Sequence, residues 1–359
     1  MKIGIVLHPY GEDKPAGLAR TIFEFTKGMI AVDEENEYVM FLKHRPRVTP
    51  VFAGKRWKIE ILGDGYLWLD RLRHATPCDC YLFNTPVMPL FFRPRRAIVL
   101  ALDFAYIVFP PKGIKGWLQN MFTRWYHWFS LRRADTIVAI SQATKKDVIS
   151  FFGIPEKRVQ VVLCGFKNVC AISEEVIGVP EHFFLFVGIV KARKNVFNVV
   201  RAFNEFKNKH LSDYKLVIAG NAQGEYADRI RGYIQKEGIG DDVIFIGHLN
   251  DGELSYLYRK AFVLVFPSFI EGFGYPVLEA MACGLPVITS RFTSLGEICA
   301  NGSALLVDPV RVNEIREAMQ EIATKPDVRE QLVRNGYAQA KKFSWEKAAG
   351  ELLKIIKGL

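Results

Sequence analysis

Long apolar runs are missing from this chain of 359 residues. The longest apolar stretch, "AIVLALDFAYIVF" at 97–109, has 13 residues and contains Asp103. A helix that spans a bilayer needs roughly 20 consecutive apolar residues, so this stretch is too short. The opening residues "MKIGIVLHPYGED" turn polar after Leu7 and predict a first β-strand rather than a secretory signal. We therefore expect a cytoplasmic protein.

Cysteines are few and scattered, at positions 78, 80, 164, 170, 283 and 299. Only Cys78 and Cys80 lie close together, and neither a second pair nor a histidine cluster accompanies them. A structural zinc site needs such a second set of ligands. We therefore expect buried, reduced thiols and no metal site.

Acidic residues are outnumbered by basic ones in one half of the chain only. Residues 1–170 hold 25 basic residues (Lys and Arg) against 15 acidic ones (Asp and Glu), whereas residues 171–359 hold 23 basic and 23 acidic residues. The whole net charge of +10 therefore lies in the first half and favours an anionic partner there. Nucleic acid is not the expected partner, because no motif of a nucleic-acid-binding fold accompanies the charge.

What the chain does contain is a regular alternation of short apolar runs and amphipathic segments. In the first half the sequence predicts strands near 3–7, 38–42, 80–83, 97–102, 136–140 and 159–163. In the second half it predicts them near 183–187, 215–219, 243–246, 262–266, 286–289 and 304–307. Such alternation is typical of parallel sheets covered by helices on both faces.

The alternation stops at "CGFKNVCAISEEVIGVPE", residues 164–181, where the charge balance also changes. We therefore expect a basic N-terminal domain over 1–170 and a second Rossmann-like domain over 171–342. Ligands of doubly wound α/β domains bind at the carboxyl ends of the strands, so two such domains would face each other across a cleft.

The segment "EGFGYPVLE", residues 271–279, follows one of the predicted strands. Glu271 then lies at the carboxyl end of that strand, and Pro276 suits the first position of a helix that Gly284 would end. The glycines let backbone N–H groups approach a ligand, and a helix N-terminus favours an anion. A plain turn, with Glu279 favouring the helix dipole, is the alternative on these residues alone.

A longer match accompanies this segment. The stretch "FPSFIEGFGYPVLEAMACGLPVITSRFTSLGE", 266–297, closely resembles the signature of retaining glycosyltransferases of family 4, which have the GT-B fold. Tyr275 stands where the family usually has Leu. "FVGIVKARKN" at 186–195 resembles a second family motif, and "FSWEKAAGELL" at 343–353 resembles the C-terminal helix that crosses back to the first domain. The likeness covers nearly all of 97–359.

The resemblance implies a nucleoside diphosphate sugar as donor, UDP- or GDP-linked, and no cofactor. It implies that Glu279 accepts hydrogen bonds from the ribose and that Glu271 faces the hydroxyls of the transferred sugar. Arg193 and Lys194 would bind the diphosphate and stabilise its charge as the glycosidic bond breaks, without a metal ion. The donor site would be completed by Gly188, Phe273, Gly274 and Tyr275.

In the first domain, Gly17 and Arg20 fall in the first strand–helix loop, where the family places glycines against diphosphate and acceptor. Asp103 matches the aspartate of a family His-Asp pair, but Leu102 stands where many members have the histidine. Either Asp103 or the donor phosphate does that work, or the alignment is off by a residue or two, or activity is reduced. His8 is a further candidate.

The resemblance therefore predicts a retaining, metal-independent hexosyltransferase acting on a glycan or lipid-linked acceptor in cell-envelope polysaccharide synthesis. A catalytically reduced GT-B scaffold and transfer to a small soluble acceptor are the alternatives. A nicotinamide-dependent oxidoreductase is a third, although the loop "HPYGEDKPAG" is not the tight turn of a dinucleotide fingerprint.

The segment "PPKGIKGWLQNMFTRWYHWFSLRRA", 110–134, combines five basic residues, no acidic one and Trp117, Trp125 and Trp128. Read as a helix, Trp117, Met121, Trp125 and Phe129 share one side. Such a stripe either packs into the core of its own domain or lies at a lipid interface, where Trp and basic residues are favoured. The second interpretation predicts peripheral binding to an anionic membrane, with Arg124 among the contacts.

Overall fold

The computed structural model describes residues 1–8, 17–46, 49–54, 56–210 and 213–358, without the side chains of 17–20 and 210. The chain divides into two compact units. Unit 1 comprises Met1–Gly165 and Phe343–Leu359, and unit 2 comprises Phe166–Lys342. The chain leaves unit 1 a few residues before position 170, the boundary expected from the sequence.

Within the described residues, unit 1 contains a seven-stranded parallel sheet with the order β3-β2-β1-β4-β5-β6-β7. Its strands are β1 (Lys2–Val6), β2 (Glu37–Leu42), β3 (Trp57–Ile61), β4 (Cys80–Phe83), β5 (Ala97–Ala101), β6 (Thr136–Ala139) and β7 (Val159–Val161). Its helices are α1 (Gly17–Val32), α2 (Ala105–Val108), α3 (Gly113–Arg133), α4 (Gln142–Phe152) and, from the end of the chain, α12 (Trp345–Lys357). The central strands are buried along their whole length, as parallel strands covered on both faces must be.

The described part of unit 2 contains a six-stranded parallel sheet with the order β10-β9-β8-β11-β12-β13. Its strands are β8 (Phe183–Val187), β9 (Lys215–Ala219), β10 (Val243–Gly247), β11 (Val263–Phe266), β12 (Val287–Ser290) and β13 (Leu305–Val307). Its helices are α5 (Val196–His210), α6 (Glu225–Lys236), α7 (Asp251–Lys260), α8 (Tyr275–Ala282), α9 (Thr293–Ile298), α10 (Val312–Thr324) and α11 (Pro326–Ala340). The chain order reverses between β8 and β11, which is where such sheets bind ligands.

Two doubly wound α/β units confirm the predicted fold class. The predicted strands all lie at or next to observed ones, but β3 was not predicted. Its sequence "WKIEI" places Lys58 and Glu60 within an edge strand that pairs with β2. Charged residues protect such an edge from pairing with another chain, and they also hide it from a search for buried apolar runs.

The C-terminal helix α12 packs on α1 in unit 1, as predicted. The Phe25 and Trp345 rings meet edge to face with centroids 5.2 Å apart. A Cβ at Gly28 would lie 2.9 Å from the Ala349 Cβ and 3.0 Å from the Trp345 carbonyl oxygen. The two helices therefore approach closely, and a larger residue at position 28 would separate them.

The expectation of reduced thiols is wrong for two cysteines. Cys170 and Cys283 form a disulfide in unit 2, with Cα atoms 5.5 Å apart and a separation of 113 positions in sequence. The pairing joins a 3₁₀ turn at Val169–Ala171 to the residue that ends α8. No sequence spacing reveals such a pair, because only the fold brings the two residues together. Cys78, Cys80, Cys164 and Cys299 are not part of a disulfide.

Candidate functional site

The candidate site lies on two loops of unit 2 that follow β8 and β11. Because these strands are parallel neighbours, their carboxyl ends meet at the same edge of the sheet. The β8 loop carries Gly188 and then a 3₁₀ turn, Ala192–Lys194, with both predicted cations. The β11 loop carries Glu271 and leads into α8. The structure thus brings together residues that are 77 and 78 positions apart in the chain.

Glu271 is paired with both cations. One carboxylate oxygen forms an ion pair with Lys194 Nζ, and the other lies 3.5 Å from Arg193 Nη1. Only 9% of the Glu271 side chain and 13% of the Lys194 side chain are exposed. Lys194 Nζ also lies 4.9 Å from the centre of the Phe266 ring. Two cations against one carboxylate leave this half-buried cluster with one excess positive charge.

Backbone hydrogen bonds hold the cationic turn in place. The Phe269 N–H donates to the Arg193 carbonyl at 2.9 Å, and Arg193 Nη1 donates to the Ile270 carbonyl at 3.3 Å. Asn195 ends the turn in the left-handed region, with φ 61°. Its buried amide donates to the carbonyls of Pro267 and Pro309, at 3.0 and 2.6 Å. Asn195 therefore fixes the turn to the loops after β11 and β13.

Gly188 and Gly274 both have backbone conformations that favour glycine. Gly274 has φ 118° and directly precedes α8, and a Cβ there would lie 2.7 Å from Leu295 Cδ2. Gly188 has φ 141°, and its carbonyl oxygen would overlap a Cβ on Gly220. Both glycines allow tight turns at the carboxyl edge. The N-terminus of α8 lies at this edge, a few residues after Glu271 in the chain.

The predicted helix over the "VLEAMA" segment is confirmed by α8, with Pro276 in its first turn. Glu279 projects from α8 and is only 4% exposed. Its Oε2 accepts a hydrogen bond from the Tyr258 hydroxyl on α7 at 3.2 Å. A buried carboxylate is costly unless it is hydrogen-bonded, so Tyr258 stabilises Glu279 in its position.

Phe273 and Tyr275 flank Gly274, with ring centroids 5.4 Å apart. Phe273 is buried, whereas Tyr275 is half-buried. The Glu271 carbonyl accepts a hydrogen bond from Ser294 Oγ at 2.8 Å. Thr293 next to Ser294 has φ 59°, which is unusual for a β-branched residue.

Sequence reasoning assigned no role to Asn195, Tyr258 or Ser294. Asn195 was visible as the last residue of the motif "ARKN", but its hydrogen bonds span 72 and 114 residues. Tyr258 carries no motif signal. Its role follows only from the packing of α7 beside α8.

The remaining predicted residues belong to unit 1. Asp103 follows β5 and is exposed, and its Oδ1 accepts from the Ala105 N–H at 3.1 Å, at the start of α2. Burial, and to a lesser extent the Asp103 charge, raises the pKa of Asp147 on α4 to about 6. Gly17 and Arg20 lie in the first turn of α1, and their side chains are outside the described part of the chain. Residues 9–16 are outside it as well.

The aromatic stripe of the segment 110–134 lies on α3. Trp117, Trp125 and Trp128 are 57%, 48% and 40% exposed, and Arg124 is exposed as well. The alternative that this stripe packs into the core of its own domain is therefore wrong. In the described part of the chain, no helix is long and apolar enough to cross a membrane.

Two family models cover most of the chain. Residues 172–339 match the model of glycosyl transferases group 1, and residues 21–167 match that of glycosyltransferase family 4. The first match contains the whole Glu271–Glu279 segment and both cations. The chain belongs to the group 1 glycosyltransferases. The predicted family is thus confirmed.

Bacterial mannosyltransferases are similar to this glycosyltransferase in sequence. The O-antigen chain mannosyltransferase B of Escherichia coli is 28% identical over 77% of this chain and 74% of its own length. The serotype-specific mannosyltransferase WbdA of Escherichia coli is 32% identical over 60% of this chain. The chain spans only 28% of the length of WbdA.

Solved structures identify the fold of the glycosyltransferase as GT-B. The crystal structure of Anabaena Alr3699/HepE in complex with UDP-glucose aligns over 100% of both chains with a TM-score of 0.77. Its sequence is 17% identical, so this likeness establishes the fold alone.

Proposed function

We propose that this group 1 glycosyltransferase moves a hexosyl unit from a UDP- or GDP-linked sugar to a glycan or lipid-linked acceptor. Retention of the anomeric configuration and a role in cell-envelope polysaccharide synthesis belong to the same proposal. The two bacterial mannosyltransferases among its relatives support the sugar class, and the O-antigen chain enzyme among them supports the envelope role. The enzyme would act in the cytoplasm or at the inner face of the membrane.

The cluster of Arg193, Lys194 and Glu271 beside the N-terminus of α8 carries this proposal. A diphosphate needs cations that are already in place and is favoured by the positive end of a helix dipole, and this edge of unit 2 offers both. Glu271 orients the two cations before the donor arrives, and its carboxylate also faces the hydroxyls of the transferred sugar. Gly188, Phe273, Gly274 and Tyr275 complete the surface that receives sugar and phosphate.

Glu279 binds the nucleoside part of the donor. A carboxylate can accept hydrogen bonds from both ribose hydroxyls at once. Tyr258 supports this role, because its hydroxyl donates a hydrogen bond to one carboxylate oxygen and so fixes the orientation of the carboxylate. The hydrogen bond from Tyr258 also reduces the cost of burying the charge.

In the proposed reaction the acceptor hydroxyl attacks the anomeric carbon on the face from which the diphosphate departs. The bond from that carbon to the phosphate oxygen breaks, and its electron pair stays on the diphosphate. The acceptor proton passes to a phosphate oxygen or to Asp103. Arg193 and Lys194 act mainly on the charge that grows on the leaving group, which is electrostatic catalysis.

This chemistry needs no divalent metal, because the cationic pair takes the place of one at the diphosphate. The sequence also has no D-x-D stretch at a strand end. Turnover should therefore continue in EDTA. Complete loss in EDTA, with recovery on adding Mg²⁺ or Mn²⁺, would contradict metal independence.

The proposal is tested by thermal shift with a panel of UDP-, GDP- and ADP-sugars. A donor that binds the folded protein raises its melting temperature by mass action. Glu279→Ala should weaken binding of the nucleotide diphosphate by about 1.5–3 kcal/mol, which is typical of a charged hydrogen-bond partner. Glu181→Ala, which removes an exposed glutamate of unit 2, is a control. Unchanged nucleotide affinity in Glu279→Ala would remove this residue from the donor site.

Leu102 favours one alternative, a scaffold of reduced activity, because it stands where many family members have a histidine. Turnover of a labelled nucleotide sugar separates the two: a scaffold binds the donor but does not release its diphosphate. A second alternative is transfer to a small soluble acceptor, which would make activity independent of lipid.

A further inference from the structure

An ordinary surface helix buries its apolar side, whereas α3 exposes its large apolar side chains. The buried or half-buried side of α3 includes the polar residues Asn120, Thr123, His127 and Ser130 together with Tyr126, Phe129 and Leu131. Ser130 Oγ accepts from the Met88 N–H at 3.0 Å, and His127 Nδ1 lies 2.7 Å from the Tyr106 hydroxyl. The buried side therefore attaches α3 to unit 1 by hydrogen bonds and by the packing of Leu131 into the core.

The outward side of α3 is apolar. It is formed by Ile114, Trp117, Leu118, Met121, Phe122, Trp125 and Trp128, which we name the α3 apolar face. Spacings of three and four residues put these side chains on one side of a helix. All seven are 40 to 81% exposed. A continuous exposed surface of this kind marks an interaction site on a folded protein.

Basic side chains border the α3 apolar face. Lys115 and Arg124 lie on either side of the stripe, and the guanidinium of Arg132 lies 4.8 Å from the centre of the Trp128 ring. No acidic residue occurs between Phe104 and Ala134. Arg133 donates hydrogen bonds to the carbonyls of Pro89 and Leu90, which ties the neighbouring loop to the end of α3.

That neighbouring loop extends the same character. Phe91 is 74% exposed, and Arg93, Arg95 and Arg96 after it are all exposed. The aromatic and basic residues thus continue beyond α3, within the unit that carries the excess positive charge of the chain. Tryptophan rings suit the boundary between water and acyl chains, and basic side chains suit anionic headgroups.

We infer that the α3 apolar face docks on a bilayer of anionic phospholipid, with the tryptophans at the level of the headgroups. The inference rests on the proposed function and names the place where a lipid-linked acceptor is met. Charge complementarity selects the bilayer over a second copy of this chain, because two copies of so basic a surface would repel each other. A helix lying in the interface needs this combination of an apolar stripe and basic borders.

The test is flotation of the full-length protein with phosphatidylcholine vesicles, with and without phosphatidylglycerol, across a NaCl series. We expect binding only when phosphatidylglycerol is present, and less binding as salt rises, because screening weakens the charge term. Trp117→Ala/Trp125→Ala and Lys115→Glu/Arg124→Glu should each lower the partition coefficient at least about tenfold.

Matched controls distinguish binding through the α3 apolar face from non-specific binding through other exposed aromatic or basic residues. Tyr66→Ala removes an exposed aromatic elsewhere in unit 1, and Lys157→Glu/Lys236→Glu makes the same change in net charge at other exposed positions. Neither control should lower binding more than about twofold. Melting curves of all variants should match the wild type, since every substituted side chain is exposed.

Three outcomes would overturn the docking site. These are no flotation of the wild type at low salt, equal losses in the controls, or a lipid-independent self-association that Trp117→Ala/Trp125→Ala abolishes. Nucleotide binding is measured on the same preparations in lipid-free buffer. Normal nucleotide binding without flotation rejects only the docking face, and flotation without nucleotide binding rejects only the proposed function.

Discussion

Single residues in unit 2 act mostly by holding other residues. Asn195 keeps a left-handed backbone between Lys194 and α5 and bonds two carbonyls from different loops. Tyr258 donates a hydrogen bond to the Glu279 carboxylate, and Ser294 donates one to the Glu271 carbonyl. The charged side chains at the site are therefore oriented before any ligand binds, which is the condition for efficient electrostatic stabilisation.

Lys194→Ala should lower kcat by roughly 10²–10³-fold, the usual loss when one preorganised group at a developing charge is removed. KM should change less, since the interaction grows in the transition state. Release of nucleoside diphosphate from the donor measures both constants. Lys191→Ala, exposed in the same loop, is the control. A higher KM with unchanged kcat would make Lys194 a docking residue only.

Asp147 gives unit 1 a pH-dependent stability. Its pKa is raised by burial, and further by Asp103, from 3.8 to about 6. The folded state therefore favours the protonated form, and the resulting stability is complete below about pH 4 and lost as the pH rises through 6. Asp147→Asn should accordingly be more stable than the wild type at pH 7.5, with a smaller difference at pH 5.

Urea unfolding at the two pH values measures this difference. Asp213→Asn, at an exposed position in unit 2, is the control. An Asp147→Asn variant with the same stability gain at both pH values would show that the carboxyl group does not titrate between them.

At the scale of elements, α8 is fixed at both ends. Its first turn follows Gly274, which packs under Leu295, and its last residue precedes Cys283, which is joined to Cys170. The helix that carries Glu279 is thereby tied to the turn at Val169–Ala171. Both attachments therefore determine where α8 lies and in which direction Glu279 projects from it.

Opening the Cys170–Cys283 bond should destabilise unit 2. A crosslink that closes a loop of 113 residues restricts the unfolded chain and typically contributes about 2–4 kcal/mol. Cys283→Ser and wild-type protein in dithiothreitol should both show lower urea midpoints, by similar amounts. Cys78→Ser, a half-buried thiol in unit 1, should keep the response to dithiothreitol. Alkylation of both cysteines in unreduced native protein would argue against the bond.

Most elements could be predicted from the sequence because buried parallel strands are short apolar runs with clear ends. Strand β3 could not, since its edge position permits Lys58 and Glu60. The stripe on α3 was visible, but a core helix and an interface helix have the same spacing, and only the hydrogen bonds of Ser130 and His127 show which side is buried. At the site, motif residues were found, whereas Asn195 and Tyr258 depend on contacts distant in sequence.

At the scale of the whole molecule, the chain completes unit 1 only with its last residues. Unit 2 is inserted between Gly165 and Phe343, and α12 then returns to α1. Six residues of α12 are buried: Trp345, Ala348, Ala349, Leu352, Leu353 and Ile356. Unit 1 is therefore built from two segments that are far apart in sequence, whereas unit 2 is one continuous segment.

Removing residues 343–359 should unfold unit 1 and leave unit 2 folded. Each large apolar side chain lost from the core contributes about 1.5–3 kcal/mol, and several together approach the whole stability of a domain, about 5–15 kcal/mol. Hydrogen exchange should show protection lost in β1, β4 and β5 but kept in β8 and β11.

Gly28→Val is a milder variant that acts on the same packing, because its Cβ would press on Ala349 and Trp345. It should weaken unit 1 selectively, and Gly350→Val, where a Cβ meets no atom within 4 Å, should not. Full protection of unit 1 in the truncated chain would mean that α12 only rests on α1 and does not hold the unit together.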